Sequence, residues 1–284
     1  MPRTYVEITK DQQLQDFCRS LSDRGVKILA MDFEGEFNLH VYGERLCLIQ
    51  VYDGSDFYLV DPIGLSKETL ATFFSVKDMV YMFYSADSDM SLVFKQYGIR
   101  MRSVYDLQLL VDLLDLPSKG LDGVLASELG VTVEKKKKFQ RHNWTLRPIE
   151  EEAKQYALND VAYLFTLHEV LLAKIKKGDL VESLAFKLVS SVKDYDKKTV
   201  PGIFKTNEYK KMNRAGKAAY ERIVGIREAC AEELDVPAHL VIPKHDLAGL
   251  AEDPLRIRNL RFHDRVPRTM RERIVREVSA VVRA

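Results

Sequence analysis

Four short runs in the first 115 residues gather apolar and β-branched side chains between Gly, Asp and Pro: 26–33 (VKILAMDF), 45–52 (RLCLIQVY), 57–62 (FYLVDP) and 79–85 (MVYMFYS). Runs of this length and composition predict strands. The first three follow at short spacing and predict an antiparallel meander. Residues 66–75 (SKETLATFFS) predict a short helix with Ser66 as N-cap and Glu68 in the first turn. Residues 85–98 predict a helix with Met90, Val93, Phe94 and Tyr97 on one face, ended by Gly98. A short strand feeding a helix follows at 103–114, then a helix closed by Gly130. Residues 133–148 (VEKKKKFQRHNWTLRP) read as a basic, irregular connection, and 149–178 as one long amphipathic helix. Pro148 and three glutamates open that helix, and lysines and Gly178 close it, which suits the helix dipole. One more helix fits 179–195.

Residues 196–211 are polar and contain Pro-Gly, which marks a linker. The expected domains are therefore 1–195 and 212–284. The second is all-helical, with helices near 214–234, 245–252 and 267–282. There is no internal repeat.

Charge sharpens this division. Net charge is +1 overall, but residues 1–197 hold 25 Lys+Arg against 30 Asp+Glu, and residues 198–284 hold 18 against 12. That asymmetry suggests a basic, polyanion-facing module joined to an acidic one. Three widely spaced cysteines (Cys18, Cys47, Cys230) suggest neither a disulfide framework nor a zinc knuckle. The charged N-terminal stretch has no signal-peptide h-region, and no run approaches the length of a membrane span, so the expectation is a cytoplasmic protein without membrane attachment.

Three acidic features stand out against the apolar pattern. Asp32 and Glu34 are two residues apart on a predicted strand, so both side chains leave the same face. A bound cation accounts for the pair, and so does a solvated strand end. Asp160 shares a helical stripe with Tyr156, Leu164, Leu167 and Leu171, and no Lys or Arg stands at i±3 or i±4 to neutralise it. A tertiary salt bridge is the structural alternative. Asp87 and Asp89 fall in a helix's first turn, where capping and the helix dipole favour acids without any further role.

Taken in order, the D-x-E strand, the Asp at a strand-to-helix junction and the Y-x-x-x-D helix resemble the three motifs of the DEDD superfamily of 3′–5′ exonucleases, in its tyrosine-bearing branch. The likeness is nearest to ribonuclease D and its exosome-associated relatives and covers roughly residues 5–190. RLCLIQVYDGSDFYLVDP, YSADSDMSLVFKQYGIRMRSVYDLQLL and NWTLRPIEEEAKQYALNDVAYL all follow the family's pattern. The resemblance implies an α/β ribonuclease H-like exonuclease domain, a mixed sheet flanked by helices. It makes Asp89, followed by Met90, Leu92 and Val93, the second-motif acid and leaves Asp87 as the helix cap. Glu36, Asp106 and Asp122 match no ligand position and read as turn or cap residues. His142 and His168 read as surface or packing residues. Tyr84 and Asn143 depart from the family, where His and Asp are common.

The same resemblance implies that Asp32, Glu34, Asp89 and Asp160 hold two divalent cations, Mg²⁺ or Mn²⁺. Asp32 would touch both, and Asp89 would act partly through water. Tyr156 would hold or deprotonate the attacking water. Residues 218–254 resemble the helicase-and-RNase-D C-terminal (HRDC) domain, although arginines replace the usual Gly-rich turn that follows. Trp144, Arg147, Arg268 and Arg271 are the expected nucleic-acid contacts. The resulting expectation is an exoribonuclease that trims single-stranded 3′ ends of RNA, tRNA precursors among them. The alternatives are a DNA 3′–5′ exonuclease and a catalytically silent nucleic-acid-binding protein.

Overall fold

A computed structural model describes residues 2–133, 138–191 and 200–281. Parts of the basic connection (134–137), of the helix expected to reach 195 and of the linker (196–199) lie outside the described residues, as does the last residue of the expected 267–282 helix. The chain forms two compact units. Residues 1–35 and 45–195 make the first, and residues 36–44 and 196–284 make the second.

The first unit is built on a mixed six-stranded sheet. Its strands are β1 (Tyr5–Ile8), β2 (Ile28–Phe37), β3 (Glu44–Tyr52), β4 (Phe57–Val60), β5 (Val80–Phe83) and β6 (Val104–Asp106), in the spatial order β1-β4-β3-β2-β5-β6. The predicted neighbours β2, β3 and β4 are adjacent, and β3 pairs antiparallel with β4. β5 pairs parallel with both β2 and β6, and β1 adds parallel to β4. β1 has no counterpart in the predicted pattern. It is four residues long and buries only Ile8 completely, too little for periodicity to register. β2 also departs from expectation: it continues through Phe37, so Asp32 and Glu34 lie within the strand.

Alternation divides β2 between two cores. Leu29, Met31 and Phe33 join one cluster, together with Leu14, Phe17 and Leu21 of α1 (Asp11–Asp23), Leu70 and Phe73 of α2 (Lys67–Phe73) and Leu92 and Val93 of α3 (Asp87–Tyr97). Ala30 joins the opposite cluster, which holds α4 (Gln108–Leu113), α5 (Leu121–Leu129) and the helices that follow. The acidic pair therefore leaves the same face as Ala30.

The single helix expected over 149–178 is two: α6 (Glu151–Ala162) and α7 (Leu164–Lys177), broken at Tyr163 (φ −112°, ψ 1°). The break gives each half its own core. Ala153, Ala157 and Leu158 pack on Cys47, Leu48 and Leu59 of β3 and β4, whereas Leu164, Leu167 and Leu171 pack with Ala30 and Met82 of β2 and β5. α8 (Val181–Ser190) completes the unit.

The second unit is helical, as predicted, with α10 (Arg214–Leu234), α11 (Ala238–Val241), α12 (Leu247–Glu252) and α13 (Arg268–Ser279). The stretch read as a linker, however, contributes α9 (Asn207–Lys211), and the unit takes in residues 36–44 of the expected first domain. Asn213 caps α10 by accepting from Gly216 N at 2.8 Å. α13 turns Met270, Ile274 and Val278 into the core, as its spacing requires. Residues 36–44 join this unit through Tyr42 N, which donates to Asp235, and His40 O, which accepts from Arg265 at 2.8 Å. Glu36 is buried and accepts from the backbone N–H of Leu39 and His40, the turn-capping role its position suggested.

Candidate active site

β2 and α6 together assemble the acidic site. Strand alternation places Asp32 and Glu34 side by side, and α6 brings Asp160 over them. One carboxylate oxygen from each of the three lies within 4.8 Å of the others. All three side chains keep partial exposure. Burial, then Asp160, Asp89 and Glu34, hold the Asp32 carboxyl well above the usual carboxylate range. Glu34 is raised in the same way by burial, Asp160 and Asp89. Asp89 stands outside the tight trio, yet its charge reaches both strand carboxylates.

Each partner is held by local structure. α6 is strapped to the N-terminal strand: Arg3 N donates to Gln155 Oε1 at 2.7 Å, Gln155 Nε2 donates back to Arg3 O at 2.9 Å, and Lys154 pairs with Glu7. One residue along from that strap, Tyr156 and Asp160 share the stripe that meets the strand acids. Asp106 at the end of β6 braces the approach to α3. Its carboxylate accepts from Ser85 N (2.8 Å), Ala86 N (2.9 Å) and Gln108 N (2.9 Å), which fixes the turn leading to Asp89. Ala86 is the N-cap of α3, so Asp87 is its first helical residue and not the cap expected.

Tyr156 packs its ring on Phe139 at 5.0 Å between centroids, and Phe139 is in turn edged by His142, which meets Trp144 at 4.7 Å. Phe139 is a support that the sequence pattern missed, because it lies in an irregular segment with no period to read. Burial, then Asp160, Glu34 and Asp32, push the Tyr156 phenol up to about 12. The hydroxyl is therefore protonated at neutral pH beside these acids, and it offers one donor and two acceptor positions.

Two expected nucleic-acid contacts are employed elsewhere. Trp144 is 3% exposed and lies in the core with Leu48, Ala157 and Leu158. Arg147 spends its guanidinium on both oxygens of Asp61 (2.5 and 2.8 Å) and on the carbonyls of Cys47 (2.6 Å), Trp144 (2.7 Å) and Leu146 (2.9 Å). The W-x-x-R motif thus pins the connection to the sheet beneath α6. Asn143 accepts from Thr145 N at 3.1 Å and Thr145 Oγ1 at 2.6 Å, a turn that a neutral amide closes as well as a carboxylate would. Tyr84 donates to Lys119 O at 2.6 Å. In the second unit, Arg268 is exposed and pairs with Glu272, while Arg271 donates to Val266 O (2.6 Å) and His263 O (3.2 Å).

Clustered carboxylates that disfavour one another's ionisation are a poor site for a neutral ligand and a good one for a hard cation. Every donor is an oxygen, drawn from rigid elements and still accessible. The set fits divalent metal.

Residues 5–176 match the profile of a family described as 3′-5′ exonuclease. Ribonuclease D of Jannaschia sp. is 26% identical over 260 residues, covering 88% of this chain and 65% of its own length. Exosome complex component 10 of Rattus norvegicus is 26% identical over 237 residues, 78% of this chain and 27% of its own. This chain thus spans less than two thirds of either relative. Among solved structures, Escherichia coli RNase D matches over 98% of this chain and 75% of its own, at TM-score 0.72 and 21% identity. The catalytic core of RRP6 from Trypanosoma brucei matches over 98% and 80%, at TM-score 0.78 and 18% identity. Both share the fold. The family profile spans more than half of the chain and takes in the strand acids, the α3 aspartate and the Tyr156–Asp160 pair: the chain belongs to the 3′–5′ exonuclease family.

Proposed function

We propose that the protein is a metal-dependent 3′–5′ exoribonuclease of the ribonuclease D kind, removing nucleoside 5′-monophosphates one at a time from RNA 3′ ends, with tRNA precursors or other structured RNA as substrates. The observation that carries this reading is the convergence of Asp32, Glu34 and Asp160 within 4.8 Å, with Asp89 adding its charge. RNA is favoured over DNA by the relatives, which are named as a ribonuclease and as an exosome component.

Asp32, Glu34, Asp89 and Asp160 would hold two Mg²⁺ or Mn²⁺ ions, which supply a water nucleophile at neutral pH and neutralise charge on the leaving 3′-oxygen. The protein's own contribution is placement. β2 and α6 fix three carboxylates on elements that cannot shift independently of the sheet. The Tyr156 hydroxyl, supported by Phe139, orients a water at the scissile phosphate through hydrogen bonds and need not remove its proton. We read the second unit as an HRDC-like module that adds affinity for nucleic acid.

Matched RNA and DNA oligonucleotides of one sequence, incubated with Mg²⁺ or Mn²⁺ and resolved by chromatography, test the substrate class. The reading requires 5′-monophosphates released from RNA well ahead of DNA. Preferential release from DNA assigns the fold's other substrate, and 3′-phosphate products contradict the mechanism outright.

A further inference from the structure

Three of the α13 arginines have partners, Arg273 with Glu277 and Glu233, Arg268 with Glu272 and Arg271 with backbone carbonyls, whereas Arg276 is exposed and has none among the described residues. A further group of exposed cations lies just before that helix, where residues 254–262 read PLRIRNLRF. Arg261 is exposed and has no hydrogen-bond or ion-pair partner among the described residues. Arg256 is also exposed, and meets Asp253 at 3.7 Å, beyond hydrogen-bond reach. Both line one groove of about 660 Å³, with Asn259 between them in sequence and Gly249 of α12 beneath. A Cβ on Gly249 would stand 3.3 Å from Arg256 Nη1, so this guanidinium lies against α12. The groove's acid, Asp246, faces His245 at 3.4 Å. Arg261 also borders an adjoining groove that contains Phe262, His263 and Asp264. Arg258, equally exposed, lines a different groove, on the side of Arg271 and Arg276.

We propose that Arg256 and Arg261 form a cradle for the phosphates of single-stranded RNA, with Asn259 donating to a phosphate oxygen. Two guanidiniums set along one groove, Arg261 without a partner among the described residues and Arg256 in a loose ion pair with Asp253, match successive phosphate oxygens. Contacts of this kind add affinity and salt dependence with little sequence readout. The choice of RNA over another polyanion rests on the proposed function.

The test is fluorescence anisotropy of a labelled single-stranded RNA with the full-length protein in EDTA, across a salt series, so that no cleavage intervenes. Arg256→Gln with Arg261→Gln should weaken binding about tenfold at low salt and make the log–log salt slope shallower by roughly 1 to 1.5 for two lost phosphate contacts. Arg258→Gln removes a charge outside the cradle and should change affinity less than twofold. Wild-type binding by the double variant overturns the proposal, as does an equal loss from Arg258→Gln, which would show bulk charge at work. A wild type that gives the predicted binding signature but releases no nucleotide with Mg²⁺ or Mn²⁺ supports the cradle while refuting the exonuclease reading.

Discussion

At the scale of single residues the site is a set of charges that disfavour one another until a cation joins them. Because the folded protein raises the pKa of Asp32 and Glu34, it favours their protonated forms. Their contribution to metal-free stability is complete below the ordinary carboxylate range and is lost as pH rises through the raised values. Asp53 runs the other way: backbone and Arg24 hydrogen bonds lower its pKa, so its contribution is lost as pH falls. The contribution of the acidic pair is read as the difference between wild type and Asp32→Asn in thermal denaturation in EDTA. The variant should be more stable than wild type by about 1–3 kcal/mol at pH 7, and the gain should shrink as pH falls towards the ordinary carboxylate range. The same substitution should cost several kcal/mol of transition-state stabilisation, about a thousandfold in rate or more. Tyr156→Phe should leave the melting temperature within a degree or two and lower kcat by about 10–100-fold with little change in KM; an unchanged kcat would remove the tyrosine from the chemistry.

At the scale of elements, β2 and α6 are the machine, and the connection before α6 holds them together. Trp144, buried in the core, and Arg147, bonded to Asp61 and three carbonyls, act at this scale. Trp144→Ala should destabilise the first unit by about 3–5 kcal/mol in urea denaturation. Arg147→Ala, which frees Asp61 and three backbone carbonyls, should cost about 2–4 kcal/mol. Loss of RNA affinity at unchanged stability would restore them as contacts. The acidic convergence itself was legible in the chain: a strand period of two aligned Asp32 with Glu34, and an i, i+4 step aligned Tyr156 with Asp160. The break at Tyr163 was not, because the apolar spacing continues through it while the sheet region beneath changes from β3 and β4 to β2 and β5. Trp144 was misread for a related reason. A tryptophan in a basic segment looks like a surface contact until tertiary structure shows which strands cover it. Asp106 was legible as a capping residue, but the loop it braces was not, since its partners lie about 20 residues away.

At the scale of the whole molecule, the charge asymmetry of the chain corresponds to two compact units, an acidic one that carries the carboxylate site and a basic helical one. No helix among the described residues is long and apolar enough to cross a membrane. The positive character of the second unit was visible in composition, but which arginines are available was not. Helical spacing pointed to α13, where carboxylates and carbonyls engage Arg268, Arg271 and Arg273, whereas Arg261, before the helix, has no partner among the described residues. The central claim is that the four acids hold cations that drive hydrolysis from the 3′ end. The measurement that tests it most directly is a gel time course on 5′-labelled RNA with Mg²⁺, Mn²⁺ or EDTA, comparing wild type with Asp32→Asn. The account predicts a ladder shortening from the 3′ end with either metal, absent in EDTA and absent in the variant. Shortening that persists in EDTA, or in Asp32→Asn at the wild-type rate, would contradict it.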